Sequence, residues 1–316
     1  MRALVIGADG FAGRWLVRHL VESGDEVAAA VGPGYGNEPL PQNLEPLRLD
    51  VRDPDGVNAV VLAARPDVTY YLAGVSRADS RDNLAVALGV SVKGALNVLG
   101  AIARLAQPTR LLHVGSSHMY ASSVDGLPIT EATALRPSGT YGAAKAAAEA
   151  ALDYLAGPAG IEFLGIRAFN HIGPGQAAGF VIPSLARQLV AIERSEQEAT
   201  IRAGNLEASR DFTDVRDVVR AYRLAAQHGL PGEKYNVASG RATRISEMLS
   251  MLSDIAGVDA QVVSDRRLAR SEDALTIVGD AARLRAATGW QPAIPIRQTL
   301  ADILDATREA AAHQAT

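Results

Sequence analysis

The sequence predicts an α/β protein with a doubly wound parallel sheet and a smaller C-terminal lobe. In the first half of the 316 residues, short apolar runs alternate with helical patterns. Continuous apolar strands separated by helices are typical of a parallel sheet that helices cover on both faces, joined by right-handed crossovers. After Phe169 this alternation ends, and a loop, further helices, short strands and prolines follow.

Each element follows from a local pattern. The first strand, over residues 3–7, leads into a helix over 14–24, whose apolar stripe includes Leu16 and Leu20 and which Gly24 ends. Further strands are predicted at 26–31, 67–74, 110–117 and 161–169, and further helices near 55–64, 84–106 and 141–156. The segment 171–179 is predicted to be a loop.

Composition and charge exclude several classes of partner and of chemistry. Hydrophobic residues make up 48% of the chain and charged residues 21%, with a net charge of −4, so no nucleic-acid or membrane partner is expected. The absence of cysteine excludes disulfides, thiolate metal sites and a cysteine nucleophile, and no metal site is predicted. No apolar run reaches about 18 residues, and the N-terminus enters a strand at once. A soluble, cytoplasmic protein is expected.

The first strand ends in GADGFAG, which places Gly7, Gly10 and Gly13 at the spacing G-x-x-G-x-x-G. Glycines at these positions allow a tight turn, close approach of the backbone to a pyrophosphate and close helix–strand packing, while the helix N-terminus supplies N–H groups for the anion. Because the triplet lies within the first strand–helix unit, it predicts a dinucleotide site, with Phe11 in the same loop. The alternative is a tight turn without a ligand.

The choice between NADPH and NADH depends on the end of the second strand. A site that selects NAD usually has an acidic residue there, and one that selects NADP an arginine. Val31 and Gly32 are neither. The missing carboxylate removes a group that would repel a 2′-phosphate, so NADPH is favoured over NADH. Arg14 is a distant candidate partner for that phosphate, although a solvated helix position accounts for it better.

Further cofactor contacts are predicted where the next two strands end. Asp50 and Val51, in LDVRD, follow a short strand and are placed at the adenine edge, while the alternative for Asp50 is a helix N-cap. Ala73 and Gly74 end the strand over 67–74 and are assigned to the same cofactor site.

A candidate catalytic set follows the strand over 110–117. Ser116 lies 25 residues before Tyr141, and YGAAK places Lys145 four residues after that tyrosine, on the same helix face. The tyrosine pKa is ordinarily about 10, and a nearby ammonium would favour the phenolate, while the lysine could also hold the nicotinamide ribose. Such a set suits hydride transfer at a carbonyl: the cofactor carries the hydride, tyrosine the proton, and serine orients the substrate oxygen.

Together these motifs resemble those of the extended short-chain dehydrogenases/reductases, which have a Rossmann fold. The stretches RAFNHIGPGQ (167–176), GNLEASRDFTDVRDVV (204–219), YNVASG (235–240) and TGWQP (288–292) resemble the branch that contains the GDP-mannose 4,6-dehydratases and the GDP-4-keto-6-deoxymannose reductases. The resemblance implies an NAD(P)-binding domain over 1–168 plus about 212–239, and a nucleotide-sugar-binding lobe over 169–211 and 240–316. It also implies a homodimer. The Ala/Leu-rich stretches 92–106 and 143–156 would permit close helix packing between subunits, and the alternative is that they pack only against the chain's own sheet.

The stretch GSSHMY separates two activities within this branch. In the dehydratases a threonine and a glutamate stand at the positions of Ser116 and His118, and they help to remove water across the sugar C5–C6 bond. Elimination needs a base and an acid, whereas reduction of a ketone needs only serine, tyrosine, lysine and hydride. The resemblance therefore implies a reductase. His118 is also a candidate acid–base, because histidine titrates near neutrality, with a spacer or a hydrogen bond to the substrate as alternatives.

The resemblance also implies which residues hold the diphosphate. Asn170, in FNH, would bind the sugar or the diphosphate, and Arg210 would pair with the diphosphate, where a bidentate guanidinium is well suited. His171 is expected only to shape the loop.

The remaining substrate contacts are carried over from shorter motifs. In RSE, Arg270 would grip phosphate and Glu272 the nucleoside ribose, although the matching family motif is one residue longer and contains a proline. Val181 would contact the base through its backbone, and Ser117 is also assigned to the substrate. Ser184 stands where the dehydratases have a lysine.

The predicted function is NAD(P)H-dependent reduction of the C4 ketone of a nucleotide-linked 4-keto-6-deoxyhexose. The favoured substrate is GDP-4-keto-6-deoxy-D-mannose, with GDP-D-rhamnose as the product. The alternatives are a ketoreductase for a dTDP-linked sugar, formation of the epimeric alcohol, a GDP-mannose 4,6-dehydratase, and a dinucleotide-binding sensor without catalysis.

Overall fold

The computed structural model describes residues 1–36, 40–75, 83–105, 107–120, 127–265, 267 and 276–314. The described strands are β1 (Arg2–Ile6), β2 (Glu26–Val31), β3 (Leu47–Arg48), β4 (Val68–Tyr71), β5 (Arg110–Val114), β6 (Glu162–Ala168), β7 (Asn170–Ile172), β8 (Thr200–Ala203), β9 (Ser209–Asp214), β10 (Lys234–Val237), β11 (Ala242–Arg244), β12 (Gln261–Ser264) and β13 (Thr276–Ile277). The described α-helices are α1 (Phe11–Glu22), α2 (Pro54–Ala64), α3 (Leu84–Leu88), α4 (Ala95–Ile102), α5 (Gly139–Ala156), α6 (Val181–Glu193), α7 (Val215–His228), α8 (Ile245–Ala256), α9 (Ala282–Thr288) and α10 (Ile296–Gln314).

In the described chain, the central sheet has seven parallel strands in the order β10-β6-β5-β4-β1-β2-β3. Alternate residues of a strand face opposite sides. Ala3 and Val5 of β1 belong to the core that contains α1 and α7, whereas Leu4 and Ile6 belong to the core that contains α2 and α4. A strand that is apolar on both faces must be covered on both, so the predicted fold class, a doubly wound parallel sheet, is confirmed.

A π-helical turn, Gly89–Gly94, joins α3 to α4. The Tyr71 hydroxyl donates a hydrogen bond to the Val90 carbonyl inside this turn, and a Cβ at Gly94 would collide with that hydroxyl. The whole stretch Leu84–Ile102 has a mean hydropathy of 1.7 and is long and apolar enough to cross a membrane. The expectation that no apolar run reaches that length is therefore wrong. The sheet-facing side of α4 is buried in the protein core, and a core helix passes the same test.

A second, smaller lobe surrounds β9, which pairs with β7, β11 and β13, while β8 pairs with β12. Apolar side chains of α6, α8 and α10, among them Leu189, Met248 and Leu304, form its separate core. We propose the predicted lobe boundaries with one change. Leu284 in α9 and Trp290 after it are buried in the core of the large sheet, so this segment is better grouped with the first lobe.

A buried ion pair holds α5 against β6. Arg167 Nη2 lies 2.6 Å from Glu149 Oε1, and the two side chains are only 7% and 3% exposed. Arg167 also donates to the Tyr120 hydroxyl, which donates in turn to Asn236 Oδ1 in β10. Removing one partner of a buried pair costs about 3–5 kcal/mol. The network therefore fixes α5, β6 and β10 relative to one another.

The stability of this fold should depend on pH through His113. Its ring is fully buried in β5, stacks on Tyr71, and has no hydrogen-bond partner for either nitrogen in the described structure. Burial, and secondarily the Lys145 ammonium, hold the pKa of His113 well below its ordinary value of 6.5. The unfolded chain therefore binds a proton that the folded chain does not. The contribution of His113 to the free energy of unfolding is complete above about pH 6.5. It decreases as the pH falls below that value, by at most about 1.4 kcal/mol per pH unit.

We expect His113→Phe to reduce the slope of this dependence between about pH 6.5 and 5 by up to about 1.4 kcal/mol per pH unit, because the unfolded state then loses one of its extra proton-binding sites. Urea unfolding at each pH measures the slope. His313→Gln, at the exposed end of α10, is the matched control and should keep the wild-type slope. A wild-type slope in His113→Phe would contradict the prediction.

Candidate active site

The glycine loop after β1 has no room for side chains. Gly7 has φ +89°, and a Cβ there would lie 2.9 Å from the Ala73 amide nitrogen, while a Cβ on Gly13 would collide with the Gly7 carbonyl oxygen. Gly7 and Ala73 follow β1 and β4, the neighbouring strands between which the strand order reverses. Ligands of doubly wound sheets bind at this crevice.

The start of α1 can accept an anion. Gly10 is the N-cap residue, and no side chain caps the helix, so first-turn amides such as that of Phe11 have no intrahelical acceptor. Free amides, the positive end of the helix dipole and a backbone without Cβ atoms are what a pyrophosphate requires. The residues present therefore fit the pyrophosphate of a dinucleotide.

Asp9 places a carboxylate at the end of β2, where the sequence of β2 itself has none. The Gly32 amide nitrogen donates to Asp9 Oδ1 at 3.3 Å, so the glycine loop supplies the carboxylate that β2 itself lacks. The carboxylate is therefore not missing from this site, and its absence cannot be a reason to favour NADPH. Sequence reasoning missed Asp9 because it considered only β2, although an acid inside the glycine triplet was visible.

Asp50 and Val51 lie beyond β3, as the strand prediction requires, but their contacts differ from those expected. Asp50 pairs with Arg52 at 2.6 Å, and the N-cap of α2 is Asp53, so the N-cap alternative for Asp50 is wrong. Val51 is buried and its carbonyl accepts a hydrogen bond from Asn97. Their contact with adenine stays a prediction.

Lys145 connects the ends of two strands. Its buried Nζ donates to the carbonyl of Val114, at the end of β5, at 2.9 Å, and to that of Ala73, beyond β4, at 3.2 Å. A Cβ on Gly74 would lie 3.1 Å from the same Nζ. The lysine therefore lies directly beside the glycine loop, where it could reach a nicotinamide ribose.

Ser116 and Tyr141 meet next to this lysine. Ser116 caps the 3₁₀ turn Ser117–Met119, and its Oγ accepts the His118 amide at 3.2 Å. Burial raises the pKa of Tyr141, and a hydrogen bond from Ser116 opposes that shift. Burial lowers the pKa of Lys145 to about 8. The expectation that the ammonium lowers the tyrosine pKa is wrong here, since two carbonyls hold the lysine and Tyr141 stays protonated at neutral pH.

His118 lies between this set and the second lobe. Its ring contacts that of Tyr141 edge-on, with centroids 6.2 Å apart, and its Nδ1 is 3.5 Å from Ser138 Oγ. A Cβ on Gly142 would collide with the His118 carbonyl, so α5 packs directly on this turn. The histidine is within reach of any molecule that contacts Tyr141.

A cavity of about 310 Å³ begins at His118 and extends into the second lobe. Three other residues predicted to bind the substrate line it: Asn170, Val181 and Arg210. Polar lining residues that were not predicted to bind it include His171, Gln176, Arg202 and Asn205. Ser117 is buried in the 3₁₀ turn below the cavity residue His118. Arg270 and Glu272 lie outside the described residues.

The described residues that line the cavity include positively charged side chains and no negatively charged ones. None of the described lining residues is acidic, and two are arginines. The described part of the chain also holds no cluster of three His, Asp or Glu residues that could bind a metal ion. An acid-free cavity with arginines suits a ligand with a negatively charged diphosphate.

The two lobes touch through the cofactor loop. The rings of Phe11 and His171 stack with centroids 6.0 Å apart and an interplanar angle of 6°. Trp15 Nε1 also donates to the Pro174 carbonyl at 3.1 Å. His171 therefore does more than shape its loop: it connects the dinucleotide site to the cavity that it lines.

Asp9 should influence the choice of dinucleotide. We expect Asp9→Asn to raise the affinity for NADPH relative to NADH by about threefold to tenfold, because a carboxylate at this position repels a 2′-phosphate. The amide oxygen can still accept from Gly32, so the loop is kept. Fluorescence titration with each reduced dinucleotide measures the ratio, and Asp55→Asn, exposed at the start of α2, is the control. An unchanged ratio would refute a role for Asp9.

Known proteins resemble this chain along nearly its whole length. The family model described as GDP-mannose 4,6 dehydratase matches residues 4–303. GDP-6-deoxy-D-mannose reductase of Pseudomonas aeruginosa is 34% identical over 305 residues, which cover 96% of each chain. The dTDP-6-deoxy-L-talose 4-dehydrogenase (NAD(P)(+)) of Kitasatospora kifunensis is 28% identical over 83% of this chain and 81% of that one.

A solved structure shows the same architecture. The structure of RMD from Pseudomonas aeruginosa complexed with NADPH superimposes with a TM-score of 0.87 at 33% identity, over 98% of this chain and 97% of that one. The chain therefore belongs to the GDP-mannose 4,6 dehydratase family of extended short-chain dehydrogenases/reductases, as its motifs predict.

Proposed function

We propose that this protein is an NAD(P)H-dependent oxidoreductase that reduces the C4 ketone of a nucleotide-linked 4-keto-6-deoxyhexose. The observation that carries the proposal is the placement of Tyr141. It lies beside Ser116 and Lys145 next to the glycine loop, and its ring contacts His118, which lines an acid-free cavity. The similarity to GDP-6-deoxy-D-mannose reductase supports the same chemistry.

Each residue has a role that its surroundings allow. The loop of Gly7, Gly10 and Gly13 would hold the pyrophosphate, and the reduced nicotinamide, when bound, supplies the hydride. Tyr141 protonates the oxygen that was the ketone, and Ser116 hydrogen-bonds that oxygen. A tyrosine whose pKa is raised by burial suits this role, because reduction requires a protonated acid at neutral pH.

The electrostatics of Lys145 complement that acid. With its pKa lowered to about 8, the lysine is still mostly cationic at neutral pH. Its ammonium, held by the carbonyls of Ala73 and Val114, would bind the nicotinamide ribose. The positive charge of Lys145 would also stabilise the alkoxide that forms from the ketone oxygen, because such interactions are strong in a buried site.

Elimination of water is a poorer match to the same site. A dehydratase needs a carboxylate or an equivalent base near the sugar, and none of the described lining residues is acidic. His118, a lining residue of the cavity, contacts Tyr141. We propose that it hydrogen-bonds the sugar or donates a proton to it, which is compatible with a reductase.

We propose GDP-4-keto-6-deoxy-D-mannose as the substrate and GDP-D-rhamnose as the product. Asn170 and Arg210 line the cavity and would bind the diphosphate, and Val181 would contact the base. A dTDP-linked ketone is the second candidate, because a relative is a dTDP-6-deoxy-L-talose 4-dehydrogenase (NAD(P)(+)). The face of the ketone that meets the hydride decides the epimer at C4.

The proposal is tested by mixing the protein with NADPH or NADH and each nucleotide-linked 4-keto-6-deoxysugar, and following reduced-nicotinamide absorbance. We expect rapid oxidation with the GDP-linked ketone, and a loss of at least about 100-fold in kcat for Tyr141→Phe without loss of dinucleotide binding. Tyr154→Phe, exposed on the same helix, is the control. No oxidation with any ketone would refute the proposal, and conversion of GDP-mannose to a ketone would indicate a dehydratase.

We also propose that the protein is a cytoplasmic homodimer. Exposed apolar side chains lie on α3 and α5, which contact each other: Leu84, Leu88, Tyr154 and Leu155. Burying such side chains against a second copy would stabilise the dimer. Sedimentation velocity should give twice the chain mass of 33.1 kDa, and Tyr154→Glu should shift the protein toward the monomer. A monomeric wild type at micromolar concentration would contradict this prediction.

A further inference from the structure

One part of the cavity takes no part in the proposed hydride and proton transfer. It lies in the second lobe, between the start of α6 and the end of β8, away from the strand ends that carry the catalytic set. Phe180 and Val181 border it with exposed apolar side chains, 45% and 41% exposed. Arg202 and Asn205 line the same part of the lobe with polar groups.

The backbone of Arg202 is held firmly. Gln188 Oε1 accepts its amide at 2.8 Å, and Gln188 Nε2 donates to its carbonyl at 3.1 Å. β8 also pairs with β12, where Arg202 lies opposite Val263. The position of this residue at the cavity is therefore set by the fold of the lobe.

The guanidinium of Arg202, in contrast, has no hydrogen bond or ion pair to any described residue, and the side chain is exposed. Asp265 is close enough for the charge of Arg202 to act on it, but its carboxylate oxygens are hydrogen-bonded by Arg267, with Nη2 at 2.9 Å from Oδ2 and Nε at 3.1 Å from Oδ1. Arg210, the other arginine of the cavity, is buried and donates to the Ser209 carbonyl. Of the two arginines among the described lining residues, Arg202 is therefore the one whose exposed guanidinium can meet a ligand.

These features match the needs of a nucleobase. A base has two apolar faces, which the side chains of Phe180 and Val181 can cover, and a polar edge. Guanine presents two adjacent acceptors, O6 and N7, and an arginine can donate to both at once. Adenine replaces the first acceptor with a donor, and uracil and thymine have no N7 at all.

We infer that Arg202 is a specificity-determining residue that reads the O6 and N7 edge of guanine in the nucleotide-linked substrate. The inference rests on the proposed function, because it assumes that the cavity holds a nucleotide sugar. In this arrangement Arg210 takes the diphosphate, and Arg202 selects the base.

Equilibrium titration of the full chain with GDP, 7-deaza-GDP and UDP tests this assignment. 7-Deaza-GDP keeps the diphosphate and O6 but lacks the N7 acceptor. We expect the wild type to bind GDP about tenfold or more tightly than either analogue. Arg202→Met should weaken GDP binding by about tenfold, weaken 7-deaza-GDP binding by less because only the O6 contact is lost, and change UDP binding less than threefold. Arg187→Met, an exposed arginine of α6 outside the cavity lining, should bind all three as the wild type does.

Two results would overturn the inference. If Arg202→Met weakens GDP and UDP equally, Arg202 contacts the diphosphate. If the wild type binds GDP and 7-deaza-GDP equally, N7 is not read, and this holds even if the variant fails to fold. An assay of ketone reduction separates the proposed function from the assignment of Arg202. If the wild type reduces a nucleotide-linked ketone but does not bind GDP preferentially, only the assignment of Arg202 is refuted. A wild type that neither binds these nucleotides nor reduces a ketone refutes both.

Discussion

The buried ion pair of Arg167 and Glu149 is the interaction on which the active site depends most. Glu149 lies one turn beyond Lys145 on α5, so its pairing with β6 sets how far α5 stands from the sheet. The same arginine donates to Tyr120, which follows the 3₁₀ turn that carries Ser116. One guanidinium therefore positions both elements that supply the candidate catalytic side chains. Its isolation from water makes each of these bonds costly to break.

The glycine loop imposes a second constraint. Gly7 and Gly13 are so close to their neighbours that no side chain fits, and Phe11, between them, is used to stack on His171 of the other lobe. The loop backbone is thus free for a phosphate, while its one large side chain contacts His171, which lines the cavity. The candidate dinucleotide site and the cavity are therefore joined by this ring contact, so the geometry of one depends on the other.

Much of this arrangement could be predicted from the sequence. The glycine triplet, Ser116, Tyr141 and Lys145 are defined by spacing along single strand–helix units, and the apolar strands predict the sheet. The role of Asp9 could not be predicted in this way, because it depends on an amide from a different strand. The raised pKa of Tyr141 depends on burial, and the position of Arg202 at the cavity depends on the backbone hydrogen bonds that it makes with Gln188 of α6. Such features arise from contacts between distant segments, which periodicity does not encode.

The charge of the cavity differs in sign from that of the molecule. The chain carries a net charge of −4, while the described cavity lining has two arginines and no acid. An anionic ligand such as a nucleoside diphosphate would therefore be repelled weakly at long range and attracted only within about 10 Å, the distance over which ions in the solvent screen charge. Its binding would rely on local focusing of the field at the cavity mouth and would gain nothing from long-range steering.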